Sequence, residues 1–215
     1  MTLNCHSKLD LIGAVPHNNF DILNQSLGDK MVIDYALEAA QDCELINNIH
    51  LPAQISSYNL KQFSKVKNYY SDHQDALSRI ADDVEGVCIL NLANPQLKAV
   101  DITSAAKILF ENSECQLVES IIESDPVPGR IWKLEGQMVS FFEGSKPFER
   151  RQDQEKGYLS TKDLIISRRV REQSPSSNQQ STRGTYGYQI KASRAFKIND
   201  KSDLLAVRSL TTLND

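Results

Sequence analysis

The chain has 215 residues, 40% of them apolar and 24% charged, the proportions of an ordinary globular domain. No apolar run approaches the roughly 20 residues that span a bilayer, and Met1–Leu9 lack the layout of a signal peptide, so a cytoplasmic protein without a membrane span is expected. Net charge is −4, yet residues 146–201 carry 13 Lys and Arg against 6 Asp and Glu, a local +7 that leaves −11 elsewhere; this suits a local anionic ligand and argues against duplex nucleic acid, whose binders carry a domain-wide basic footprint.

Leu9–Val15 has the composition of a short buried strand and runs into the turn-rich Pro16-His17-Asn18-Asn19. After Gly28-Asp29, the apolar residues Met31, Val32, Tyr35, Ala36, Ala39 and Ala40 recur at helical spacing and predict an amphipathic helix over 30–43. A second strand is expected over 46–51, ending at Pro52, then a helical segment over 59–65 and a short strand over 65–69. Ala76, Leu77, Ile80 and Ala81 share one face of a helix over 72–83.

Gly86–Leu92 is apolar on both faces, the pattern of a central parallel strand, and stops at Ala93-Asn94-Pro95. Asp101 or Thr103 can cap the helix that follows. A strand over 116–122 leads to the breaker Asp125-Pro126-Val127-Pro128-Gly129, and 130–135 with 137–143 reads as a hairpin around Gly136. Further strands are expected over 163–167 and 186–191, with a terminal helix over 202–210. Between those strands the Ser-, Gln- and Asn-rich stretch 172–185 has little to bury and is expected to be a mobile loop.

Strands alternating with helices predict a single α/β domain over 1–215, an open and mostly parallel sheet with helices on both faces. Ligands of such sheets sit in the crevice at the carboxyl ends of the strands. The turns after Val15 and Leu92 and the stretch around Arg150 converge there. Phe148-Glu149-Arg150-Arg151-Gln152-Asp153, closed by Tyr158, places two guanidiniums, an amide and a phenol before an apolar run. Paired arginines grip carboxylates or phosphates through bidentate forks; the alternative is a solvated turn in which Glu149, Asp153 and Glu155 neutralise them. Cys5, Cys43, Cys88 and Cys115 are far apart, as are the four histidines. Reduced, mostly buried thiols are expected and a zinc site is not.

These segments together resemble the N-acylneuraminate cytidylyltransferases, which make CMP-sialic acid and related sugars. Leu11–Asn19 followed by Asp29–Ala40 is similar to the family's first strand, loop and helix. Leu90-Asn91-Leu92-Ala93-Asn94-Pro95, with Asp101-Ile102 beyond it, resembles the family's central motif. Arg150, Arg151, Gln152, Asp153 and Tyr158 match its Arg-Arg-Gln-Asp run, and Ala195–Asp203 resembles its last motif. The resemblance implies a nucleotide-diphospho-sugar transferase-like fold, with 118–150 a hairpin region for homodimerisation. It also implies CTP and a nonulosonic (sialic-type) sugar acid as partners and Mg2+ as cofactor. Arg150, Arg151, Gln152, Tyr158 and Asn91 would then bind the sugar acid, and Ala14, His17, Asn18, Asn24 and Lys197 the nucleotide.

The departures fall on the chemistry. Val15, Pro16 and His17 stand where the family has an arginine and two glycines, and Pro16 has no amide to donate. Lys197 and Asn199 stand where two aspartates would hold the metal, so no metal ligand is assigned. Three functions remain open at this level. The chain could be an active transferase that joins CTP to the sugar acid with release of pyrophosphate, an inactive relative that binds the acid or a partner enzyme, or a nucleotidyltransferase for another sugar.

Overall fold

The computed structural model describes residues 8–15, 19–80, 82–124, 132–135, 138–141, 156–169 and 184–212. Seven strands form the main sheet: β1 (Leu9–Ala14), β4 (Ile46–Pro52), β5 (Val66–Tyr70), β6 (Gly86–Asn91), β7 (Leu117–Glu123), β10 (Tyr158–Arg168) and β11 (Thr185–Gln189). Their order is β11-β7-β10-β6-β1-β4-β5. β1 pairs in parallel with β4 and β6, β4 with β5, and β7 with β11. Only β10, among the described strands of this sheet, runs against its neighbours β6 and β7. The apolar sequence of β6 thus supports one parallel and one antiparallel partner.

Alternation along the strands divides the core. Leu9 and Leu11 of β1 and Cys88 and Leu90 of β6 enter the larger cluster, with α1 (Val32–Asp42), α3 (Ala99–Glu111) and α4 (Lys201–Thr212). Ile12 and Val87 turn to the opposite face and pack with Ala76 and Ile80 from the segment of α2 (His73–Ser78). Helices therefore cover both faces, with the heavier layer on the α1–α3–α4 side. Gly13 sits where a Cβ would come within 2.8 Å of the Leu51 and Leu92 side chains, so a larger residue near the end of β1 would force those leucines to repack.

Several boundaries move for physical reasons. Lys30–Met31 forms β3, which pairs with β2 (Ser26–Leu27) around Gly28 at φ +66, so α1 begins only at Val32. Asp34 accepts the Met31 N–H at 2.9 Å, and Asp101 accepts the Lys98 N–H at 2.7 Å, so each carboxylate sits inside the first turn it caps. The segment 59–65 is not a helix; short turns there lay Leu60 and Phe63 into the core. α2 ends at Ser78, and β10 starts at Tyr158, five residues before the expected start at Asp163. The hairpin expected around Gly136 is the separate pair β8 (Trp132–Glu135) and β9 (Met138–Phe141). Cys43, Cys88 and Cys115 are buried and unbridged, and burial pushes the Cys88 thiol far up, which leaves it inert. No helix among the described residues is long and apolar enough to cross a membrane.

Candidate functional site

The parallel strands β1, β4 and β6 end at Ala14, Pro52 and Asn91 on one side of the sheet. β10 arrives there from the opposite direction, so its residues before Leu164, the partner of Leu90, extend beyond the end of β6. They flank the end of the sheet where ligands of such folds are expected. The segment Ala195–Asn199 is tied to the same end of the sheet: Ile198 N–H donates to Ala93 O at 2.8 Å, and Asn19 Nδ2 donates to Asn199 O at 2.6 Å. Leu92 N–H donates to Ala14 O at 2.9 Å and ties the end of β1 to the turn after β6.

A buried polar network lies at this junction. Asn91 Nδ2 donates to Asp163 Oδ1 at 2.7 Å, while Asn91 Oδ1 accepts the Ala93 N–H at 2.9 Å. Both ends of the Asn91 amide are thus engaged within the protein. Asn94, also buried, donates to Arg194 O and accepts from the Gln96 N–H. Lys197 Nζ donates to Thr161 O at 3.3 Å. Burial pushes the Asp163 carboxyl above the ordinary carboxylate range, opposed by the Asn91 hydrogen bond and the Lys197 charge. Asp163 Oδ2 and Asn199 Oδ1 are buried acceptors with no hydrogen-bond partner among the described residues.

Of the residues expected at the site, Asn91 bonds Asp163 and Lys197 bonds Thr161, while Ala14 stands beside Asn91 at the end of β1. Asn24 is exposed in a 3-10 turn over Phe20–Asn24. Tyr158, 46% exposed, pairs with Glu123 at the outer end of β10. His17, Asn18, Arg150, Arg151 and Gln152 lie outside the described residues. Sequence reasoning passed over Asp163, Thr161 and Asn94. The one signal for Asp163 was a carboxylate heading the run Leu164-Ile165-Ile166, where a strand boundary at the surface is the ordinary reading.

The segment Lys197–Asn199 does not fit the Mg2+ that the resemblance implies. An ammonium carries three donors and no lone pair, whereas a hard dication takes oxygen ligands. No group of three or more His, Cys, Asp or Glu among the described residues could hold a metal ion.

This fold is shared with solved structures of cytidylyltransferases. The chain superposes on the 4-diphosphocytidyl-2C-methyl-D-erythritol synthase of Anaerococcus prevotii with a TM-score of 0.67 at 12% identity, over 97% of this chain and 100% of that one. The CMP:2-keto-3-deoxy-manno-octonic acid synthetase complexed with CTP gives 0.67 at 13% identity over the same shares. The 2-C-methyl-D-erythritol 4-phosphate cytidylyltransferase of Francisella tularensis gives 0.66 at 13%, over 94% and 99%. Neither a protein-family model nor a curated protein sequence matches the chain. At these identities the likeness concerns the cytidylyltransferase fold.

Proposed function

We propose that this chain is a cytidylyltransferase-like protein of sialic-type (nonulosonic) sugar-acid activation whose crevice binds the acidic sugar and does not carry out magnesium-assisted transfer from CTP. The observation that carries this reading is the replacement at the last motif. Lys197 holds its ammonium against Thr161 O, beside the buried Asp163, where the resemblance calls for metal-binding carboxylates. A positive charge fixed in the crevice attracts a carboxylate without any metal. Arg150 and Arg151 belong to the same sugar-acid half of the reading, and a homodimer through the region 118–150 accompanies it.

The test is ligand-dependent melting of the full chain. A ligand that binds only the folded state stabilises it by about 2.7 kcal/mol at one hundred times Kd, roughly 5–10 °C for a chain of this size. N-acetylneuraminate raises the melting point, CTP with magnesium adds nothing, and no pyrophosphate is released when all three are mixed. Pyrophosphate release with any nonulosonic acid overturns the proposal. It would favour a second reading, suggested by the same half-buried ammonium: an active transferase in which Lys197 neutralises phosphate charge directly.

A further inference from the structure

The pairing of β10 with β7 breaks between Ser160 and Ile165. Side-chain hydroxyls hold the break in place. Ser120 and Thr161 Oγ atoms lie 2.6 Å apart, Leu164 N–H donates to Ser120 Oγ at 3.0 Å, and Asp163 N–H donates to Thr161 Oγ1 at 3.3 Å. Two groups of opposite tendency meet at this break. Thr161 offers its carbonyl to the Lys197 ammonium at 3.3 Å, and Asp163, two residues on, offers Oδ1 to Asn91 at 2.7 Å. Asp163 Oδ2 has no hydrogen-bond partner among the described residues. The ammonium therefore rests on a neutral carbonyl and not on the carboxyl.

Asp163 is fully buried. The groups that act on its carboxyl from other elements are Asn91 and Asn94, after β6, and Lys197; Thr161 acts from its own strand. Only Lys197 among them is charged. Burial raises the carboxyl above the ordinary range, and the Asn91 hydrogen bond and the Lys197 charge pull it back. The two side chains thus sense each other without a bond between them, and such coupling acts equally in both directions. A neutral Asp163 leaves the whole charge of the ammonium to an arriving anion. An ionised Asp163 offsets that charge inside the protein, where screening is weaker than in water.

We propose that the Asp163 carboxyl regulates anion binding at Lys197: when neutral it leaves the ammonium to hold the carboxylate of a sugar acid, and when ionised it draws that charge to itself and weakens the hold. The proposal rests on Lys197 being the cation of the ligand site. Asp163 is neutral below its folded-state value, so affinity is highest there and falls as pH rises through it. The ligand's own carboxylate stays ionised above about pH 4.5, so the change belongs to the protein. Because binding favours the neutral form of Asp163, the chain takes up a proton as it binds.

The experiment titrates N-acetylneuraminate into the full chain and the variants Asp163→Asn and Lys197→Gln by calorimetry, between about pH 4.5 and about pH 8. Two buffers of different ionisation enthalpy report the proton taken up. The unsubstituted chain binds about tenfold more weakly at the top of that range than at the bottom, the effect of a coupling of about one pKa unit, and takes up a proton between. Asp163→Asn can still accept from Asn91; it keeps the low-pH affinity throughout and takes up no proton. A pH-independent affinity of the unsubstituted chain overturns the proposal. So does an equal fall in Asp163→Asn, which assigns the titration to another group, or weaker binding by that variant at low pH. If Asp163→Asn does not fold, the 13C shift of the Asp163 carboxyl gives the answer: its titration moves to higher pH with the anion bound, and no movement overturns the proposal. Lys197→Gln loses binding at every pH; full binding by that variant overturns the reading of Lys197 on which the proposal rests. No binding by the unsubstituted chain at any pH overturns both.

Discussion

Leu164–Arg168 and Tyr158–Ser160 belong to one strand, β10, and differ in almost every physical respect. The first stretch pairs with β6 on one side and β7 on the other, and buries Leu164 and Ile166 in the main core. The second pairs with β7 alone, beyond the end of β6, and leaves Tyr158 and Leu159 about half exposed at 46% and 52%. The break at Thr161–Asp163 separates them. A strand paired on both edges holds the sheet together, while its extension past a neighbour's end is paired on one edge only. One segment therefore has a buried half and an open half, and the polar network lies where the two meet.

The sharpest way to break that comparison is to empty the buried half. Ile166 is fully buried between α3 and the sheet, and Ile166→Ala is expected to cost about 2–5 kcal/mol in chemical denaturation. A loss below 1 kcal/mol would mean that the inner half is no better packed than the outer one. Arg168, at the end of the same half, donates to Cys115 O at 2.8 Å, Leu109 O at 2.6 Å and Asn112 O at 3.2 Å. It satisfies the carbonyls at the carboxyl end of α3 with a positive charge where the helix dipole favours one. Arg168→Ala is expected to cost about 1.5–3 kcal/mol, and melting should show it as the second largest loss.

The break itself is sharpened by pH. Burial raises the Asp163 carboxyl above its ordinary 3.8, against the pull of Asn91 and Lys197. A carboxyl that holds its proton more tightly folded than unfolded contributes stability that is complete below the unfolded value and is lost as pH rises through the folded one. Asp163→Asn keeps the shape and removes the titration. The urea midpoint of the unsubstituted chain, relative to that variant, should fall as pH rises above about 4. A constant difference between the two across that range would place the carboxyl in water and remove it from the network.

Most of the sheet was legible in the sequence because its strands are apolar runs bounded by turn residues. Leu9–Ala14, Ile46–Pro52 and Gly86–Asn91 are recovered within about a residue. The outer half of β10 was not, since Tyr158-Leu159-Ser160-Thr161-Lys162 lacks both an apolar run and clean alternation; its partner β7 and the hydroxyls of Ser120 and Thr161 make it a strand. Asn59–Lys65 failed the other way, its apolar spacing serving turns that bury Leu60 and Phe63. Asn91 and Lys197 were singled out by motif as ligand-binding residues and lie in the polar network, Asn91 with both ends of its amide engaged internally, whereas Asp163 gave no sign that a carboxylate heading a strand would be buried. Burial of a charged residue depends on partners distant in sequence, here Asn91 and Lys197, and no local pattern carries that.

The smallest effect is expected in the outer half, and it tests whether the comparison holds at the level of single side chains. Leu159 pairs with Ile122 through backbone bonds, which do not depend on its side chain. At 52% exposure the isobutyl group gives up little when removed, so Leu159→Ser should change stability by no more than about 0.5 kcal/mol. The same substitution leaves the Asn91–Asp163 and Lys197–Thr161 bonds untouched, so any anion-induced rise in melting point should persist. A cost above 2 kcal/mol would require a buried partner for Leu159. The outer half of β10 would then be packed as the inner half is, and the division of labour along the strand would fail.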